Sequence, residues 1–407
     1  MKRLTKLKVK YFLIVSCVLM IFGIILPTFM RYHTFVTANV VGNAKETRSS
    51  TYKIKFHSNG GSGDMQEMTI KYNEPHNLTK NIFILENYNF GGWNTESDGT
   101  GINYEDEQEI NQTAYLDGDE INLYARWIQG TAVIGNTSYD TLQAAIDAVS
   151  ADNTETTIKL LKNVSEVITV AKDKKIIFDF QNFTVSNKGE NPVVSNFGNI
   201  TIQNGTITSS TKQGAINNKS GALLTMTGGN IIATGIRQAI YNDGGTVEIT
   251  GDAYLSAVST ERATVQNNTN TSKLYITGGK IISTNFSAVQ NAGVMNIGVK
   301  DSNVDINSPC IQGATYGVTS TTNFNFYDGI IKGIANNAIE NETKVREKEP
   351  GYAIEHTTET IDNVTYNTVF LTPTTSATIT FDANEGIVSE TTRIVTTRRN
   401  YWYITSS

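Results

Sequence analysis

The sequence predicts a mainly all-β protein: a parallel β-helix preceded by a small β-rich module. Three observations carry this. A phrase of a small residue, an Ile or Val, then Asn recurs with a period in the mid-twenties. Short runs alternate apolar with polar residues, as half-buried strands do. The 33 glycines come with only 6 prolines, which points to many tight turns within regular structure rather than a Pro-rich linker.

Bulk properties narrow the function classes. A chain of 407 residues is long enough for two or three folded units. Charged residues make up 18% and hydrophobic ones 39%, which excludes both a disordered tail and a membrane channel. Formal charge is −6; residues 1–38 hold six basic residues and no acidic ones, so the remainder carries −12. Such a surface repels phosphate backbones, and no nucleic-acid partner is expected.

Lys2, Arg3, Lys6, Lys8 and Lys10 precede an apolar run from Tyr11 to Met30. This pattern makes residues 1–38 a signal peptide or membrane anchor. Pro27 and the small residues of Val36-Thr37-Ala38 favour cleavage, while the run approaches the ~20 residues that span a bilayer. Either way the rest is expected in the extracellular space or cell envelope of a bacterium. Membrane contact then occurs only through this segment, if it is uncleaved. Of the two cysteines, Cys17 lies in the leader, so Cys310 has no intramolecular disulfide partner in the exported part. Residues 39–50 are polar and patternless, a short linker.

Residues 51–128 form the first module. Tyr52-Lys53-Ile54-Lys55-Phe56 alternates and ends in the turn Asn59-Gly60-Gly61, and Met68-Thr69-Ile70-Lys71-Tyr72 alternates again. Phe90-Gly91-Gly92-Trp93-Asn94, Asp98-Gly99-Thr100-Gly101 and Leu123-Tyr124-Ala125-Arg126-Trp127 follow in order. From Tyr52 to Trp127 the stretch resembles the Listeria–Bacteroides repeat, or internalin B repeat. That resemblance implies a compact, β-grasp-like, extracellular, non-enzymatic unit. Trp93 and Trp127 read as its core rather than as sugar-stacking platforms, because a unit this small needs its large aromatics inside. Asp98, Asp106, Asp117 and Asp119 lack calcium-loop spacing, and no metal site is expected.

Residues 130–186 read as the N-terminal cap of the stack. A hairpin over Thr131–Tyr139 leads to a helix N-capped by Asp140 and running to about Val149, with Leu142, Ala145, Ile146 and Val149 on one face. Strand-like runs at 157–161 and 175–180 follow.

Residues 187–372 carry the parallel β-helix. The branched residues Val194, Ile216, Ile240, Val265, Val289, Ile311 and Ile339 are spaced 22, 24, 25, 24, 22 and 28 apart. They predict an inner aliphatic ladder. Asn218, Asn242, Asn267 and Asn291 follow their branched residues by two positions and predict a stacked amide column. The region is leucine-poor, unlike a leucine-rich repeat. Its architecture resembles right-handed parallel β-helix proteins of the pectate-lyase-like superfamily. Cys310 occupies a slot that alanine fills elsewhere and reads as a small core residue.

None of the four histidines lies within 187–345, and no catalytic motif of the superfamily stands out. Arg237 and Arg262 each precede a ladder residue by three positions. They should share one face on adjacent rungs, where with Glu261 they would grip a carboxylated or sulfated group. The alternative reading is a solvated surface pair. The functional expectation is a non-catalytic, adhesin-like scaffold for a glycan or protein partner, without cofactor. The runner-up is a lyase or glycoside hydrolase acting on acidic polysaccharide. Residues 377–407 read as a truncated second B repeat, opening with Ala377-Thr378-Ile379-Thr380-Phe381 and expected to be poorly ordered.

Overall fold

The computed structural model describes residues 50–112, 119–335, 337–380, 392–398 and 401–404. The expected leader and most of the linker lie outside these residues. No helix among the described residues is long and apolar enough to cross a membrane.

In the first module the alternating runs become a five-stranded sheet. Thr51–His57 sits between Met68–Lys71 (antiparallel) and Glu120–Gln129 (parallel), and Glu120–Gln129 pairs in turn with Tyr88–Asn94. Tyr52, Ile54, Phe56, Trp93, Leu123 and Ala125 supply its core. Trp93 is fully buried, with the Phe56 and Phe90 rings 4.8 and 4.9 Å away. Trp127 is half-buried and donates its indole N–H to Ser58 O at 2.9 Å. Gly92 adopts φ +95, and a Cβ there would stand 2.6 Å from Tyr104 O. Only glycine lets the strand bulge beside Trp93.

The second part is a parallel β-solenoid of about 8 turns. Each turn lays one strand on each of three faces. On the first face Ile168, Val194, Ile216, Ile240, Val265, Val289 and Val318 are successive register partners, and Ile339 bridges to Val318. On the second face, Ile176, Ile200, Leu224, Val247, Leu274 and Met295 stack in the same way. The third face stacks Val185, Ile207, Ile231, Leu255, Ile281, Ile311 and Ile331. All three columns point into one core, which excludes water along its length.

Ile311 therefore corrects the predicted ladder: it belongs to the third face, and Val318 holds the place after Val289. The cause is a turn of twelve residues, Gly298–Pro309, between strands Val294–Ile297 and Cys310–Gly313. The equivalent turn Thr277–Gly279 has three. The insertion displaces the frame, and Cys310-Ile311 then imitates the first-face phrase at a chance spacing. Cys310 lies outward of the core, half-buried, and burial pushes its thiol pKa up.

The amide column is present. Asn196, Asn218, Asn242, Asn267 and Asn291 are fully buried, and each donates to the next at 2.8, 2.9, 2.7 and 2.7 Å. Asn291 ends the column on Ser320 and Thr322, both at 2.9 Å. Every amide also donates to corner carbonyls, as Asn242 does to Gly245 O and Lys273 O at 3.0 Å. The corner must come close: a Cβ on Gly245 would meet Asn218 Nδ2 at 2.4 Å.

Both ends of the stack are closed. The helix Leu142–Ala148 is N-capped by Thr141, whose hydroxyl accepts from Ala144 N–H. Asp140, the expected cap, instead accepts from Asn89 at 2.7 Å. Glu166 accepts from the backbone N–H groups of Leu142 and Gln143, and buried Lys174 donates to the carbonyls of Ile146, Asp147 and Val149. Opposite charges thus satisfy opposite helix ends. The Gln143 amide accepts from Thr169 N–H (2.8 Å) and donates to Thr169 O (3.1 Å), replacing a neighbouring strand at the first-face edge. The hairpin Ala132–Ile134/Thr137–Tyr139 runs antiparallel to the edge strand Glu155–Leu160. At the far end Val364–Pro373, from a hairpin with Tyr352–Ile361, runs antiparallel to Ile330–Gly333.

Of the stretch expected to be a truncated second B repeat, the described residues form three strands. Thr375–Thr380 lies antiparallel to Thr392–Arg398, and Tyr401–Ile404 adds a third strand. Ala377 pairs with Val395 as Tyr52 pairs with Ile70, each across 18 residues. Residues 381–391, 399–400 and 405–407 of that expectation lie outside the described residues.

The inserted turn is held by acids. Asp328 accepts from the backbone N–H groups of Asp305 (2.5 Å) and Val299 (3.5 Å), and Glu349 from that of Ser302 (3.0 Å). Tyr327 donates its hydroxyl to Glu347 at 2.8 Å. Burial, and then Glu347, push the Tyr327 phenol pKa up from 10.0 to about 12. Folding therefore favours the neutral phenol. This contribution is intact below pH 10 and declines as pH rises toward 12. We expect Tyr327→Phe to lose less stability than the parent between pH 9 and about 12, read as the shift in urea midpoint at each pH. An equal decline in both proteins would refute the assignment.

Candidate cationic hollow on the first face

On the first face the residue that follows each branched residue takes the outward side of its strand. In register these are Thr169, Ser195, Asn217, Tyr241, Gln266, Gln290 and Thr319. Asn217, Tyr241 and Gln266 floor a hollow of about 290 Å³. Its rim is the corner leading from the third face to the first, and there the structure brings Arg237 and Arg262 together. Lys219, Gln213, Gln238 and Asn268 complete the lining.

The rim is preorganised. Buried Ser259 donates its hydroxyl to Ile236 O at 2.8 Å and accepts from the N–H groups of Glu261 (3.2 Å) and Arg262 (3.0 Å). Arg237 donates Nε to Lys212 O at 2.9 Å, which ties its stem to the preceding turn. Among the described residues neither arginine forms an ion pair; the cation Lys219 is paired with Asp243 at 3.3 Å, in register on adjacent strands. Burial, then Asp243, raise the Tyr241 pKa, while Arg262 opposes the rise. That cation therefore bears on the phenol.

Three lining groups hold buried polar atoms without partners: Asn217 Oδ1, Gln238 Oε1 and Arg262 Nε. Gln238 is only 6% exposed. Such atoms cost stability unless something in the hollow meets them. The hollow can bind and orient an anionic, hydroxylated group. Its lining holds neither carboxylate nor histidine; the nearby Asp243 carboxylate is engaged by Lys219.

Glu261 corrects the predicted trio. It is exposed and does not line the hollow, because the Ser259 turn sends only Arg262 over the first face. Sequence reasoning missed Tyr241 and the amides Asn217 and Gln266, although the middle position of the Ile-x-Asn phrase marks them as one outward column. Gln238, the inner residue of the rim, carried no such signal. Among the described residues no group of three or more His, Cys, Asp and Glu is placed to hold a metal ion.

Fold and site together define a repeat-bearing β-solenoid protein. The family model of the Listeria-Bacteroides repeat domain matches residues 52–126, and that module is typical of bacterial surface proteins. Neither the curated proteins nor the solved structures yielded a match.

Proposed function

We propose that the protein is an exported bacterial surface or secreted scaffold that binds a carboxylated or sulfated saccharide in the Arg237/Arg262 hollow. The observation that carries this reading is two guanidinium groups with no counter-ion among the described residues, on adjacent turns over a floor of outward amides and a tyrosine. The guanidinium fork matches carboxylate and sulfate geometry, and the partnerless amide oxygens call for hydroxyl donors. Export is supported by the basic and apolar N-terminal segment and by the repeat module.

Calorimetric titration with polygalacturonate, hyaluronate, heparin and neutral dextran tests it. Affinity for at least one acidic polymer, and none for dextran, is expected. Arg237→Ala/Arg262→Ala should weaken that binding at least tenfold, about 1.4 kcal/mol, with an unchanged circular dichroism spectrum. Arg262→Lys should recover only part of it, since the charge returns without the fork. Unchanged binding in the double variant removes the hollow from the account. Release of unsaturated or reducing ends from any polymer would favour the enzymatic alternative.

A further inference from the structure

The inserted turn Gly298–Pro309 has a consequence on another face. Gly298, Val299 and Lys300 form one wall of a hollow of about 430 Å³, within the ~300–1,000 Å³ range of small-molecule sites. Its floor is the outward column of the second face, where Glu248, Tyr275 and Asn296 are successive register partners. Thr250 and Thr277 supply hydroxyls at the corner, and Tyr327 closes the side.

The wall is rigid. Lys300 pairs with Glu347 and stands 5.9 Å from the centre of the Tyr327 ring. Asp328 and Glu349 fix the turn behind it. A turn four times the length of its equivalent, held by three acidic side chains, is organised well beyond what a corner needs.

We infer that this hollow is a second carbohydrate site, built for an uncharged pyranose. The half-exposed Tyr275 ring presents a face for the C–H groups of a sugar. Glu248 accepts from Thr225 at 3.1 Å through one oxygen, forms no ion pair among the described residues, and leaves its other oxygen to take hydroxyl protons. Asn296 accepts from Asn325 at 3.0 Å and keeps its N–H groups to donate. Lys300 is neutralised by Glu347, and Glu248 repels anions. The acidic ligand assigned to the arginine hollow is thus unsuited here, and the two sites are tested separately.

Saturation-transfer NMR of the full chain with cellohexaose, maltohexaose and chitohexaose tests the inference. Transfer to ring protons of at least one is expected. Tyr275→Ala should weaken it at least tenfold. Glu248→Gln, which keeps the shape but not the charge, should weaken it several-fold. Tyr275→Leu keeps apolar bulk while removing the ring face, and should behave like the alanine variant if the fold is intact. Arg237→Ala/Arg262→Ala should leave the signal unchanged. The inference is overturned if no oligosaccharide shows transfer or if Tyr275→Leu binds like the parent.

Discussion

Asn242→Ala is expected to destabilise the solenoid by about 3–5 kcal/mol, several times the effect of Asn341→Ala. The wild-type amide accepts from Asn218 at 2.9 Å and donates to Asn267 Oδ1 at 2.7 Å and to the carbonyls of Gly245 and Lys273 at 3.0 Å. Alanine leaves a donor above, an acceptor below and two corner carbonyls without these partners, in a site with no exposure. Each unsatisfied buried group costs ~1–3 kcal/mol, and the losses overlap. Asn242→Asp keeps the shape but replaces a donor with a carboxylate facing three acceptors, so it should be worse at neutral pH. Asn341 is the control. It ends the same sequence phrase, yet in the fold it is exposed and caps a short 3-10 turn, accepting from Thr343 N–H at 3.1 Å and from the Thr343 hydroxyl at 2.7 Å. Urea unfolding of the three variants measures the difference. Because solenoids can open turn by turn, amide exchange should also show the weakening centred on the strands of Asn218 and Asn267. If Asn242→Ala lies within 0.5 kcal/mol of Asn341→Ala, the column is decoration rather than structure.

That contrast shows what a repeat phrase reveals and where it fails. Six of the seven residues predicted for the inner ladder share one column, Val194 through Val289 in direct register and Ile339 by its bridge to Val318; between Val194 and Val289 nothing changes turn length by more than a few residues. Period alone then fixes register. Ile311 fell out when twelve residues entered one corner, and a local pattern of small residue, Ile and Gly cannot report on which of three faces it sits. The helix cap moved from Asp140 to Thr141 for a related reason. Asp140 is as good a cap by type, but its carboxylate is engaged by Asn89 from the preceding module, a tertiary event invisible in the local sequence.

The candidate site was legible to a similar depth. Equal offsets from the ladder brought Arg237 and Arg262 together, since both inherit the register of Ile240 and Val265. Glu261 was included on adjacency in sequence, yet adjacent residues at a corner diverge, and the Ser259 turn separates this pair. The second hollow could not be read at all. It exists only because the inserted turn folds back over Tyr275, under restraint from Asp328, Glu347 and Glu349 more than twenty residues away.

Undocking the C-terminal hairpin is expected to change the association state. A stack of parallel strands offers an unpaired ladder at each end, a template for any other strand. Here Val364–Pro373 reverses direction against the last third-face strand: Ile330 faces Phe370, Ile331 faces Val369 and Lys332 faces Thr368. Val369 and Leu371 are 1% and 0% exposed, so the hairpin covers apolar core as well as backbone. In Val369→Asp/Leu371→Asp the two buried charges cannot remain, and the strand must leave. The edge of Ile330–Gly333 and the buried Ile331 side chain then meet solvent. Light scattering after size exclusion should give a mass that rises with concentration over the micromolar range, while the parent stays constant. Thr358→Lys, on the exposed strand of the same hairpin, should behave as the parent, which separates loss of docking from added charge. A double variant whose mass does not depend on concentration would mean that the last turn needs no cover. The antiparallel reversal would then be a mere connection to the strands that follow.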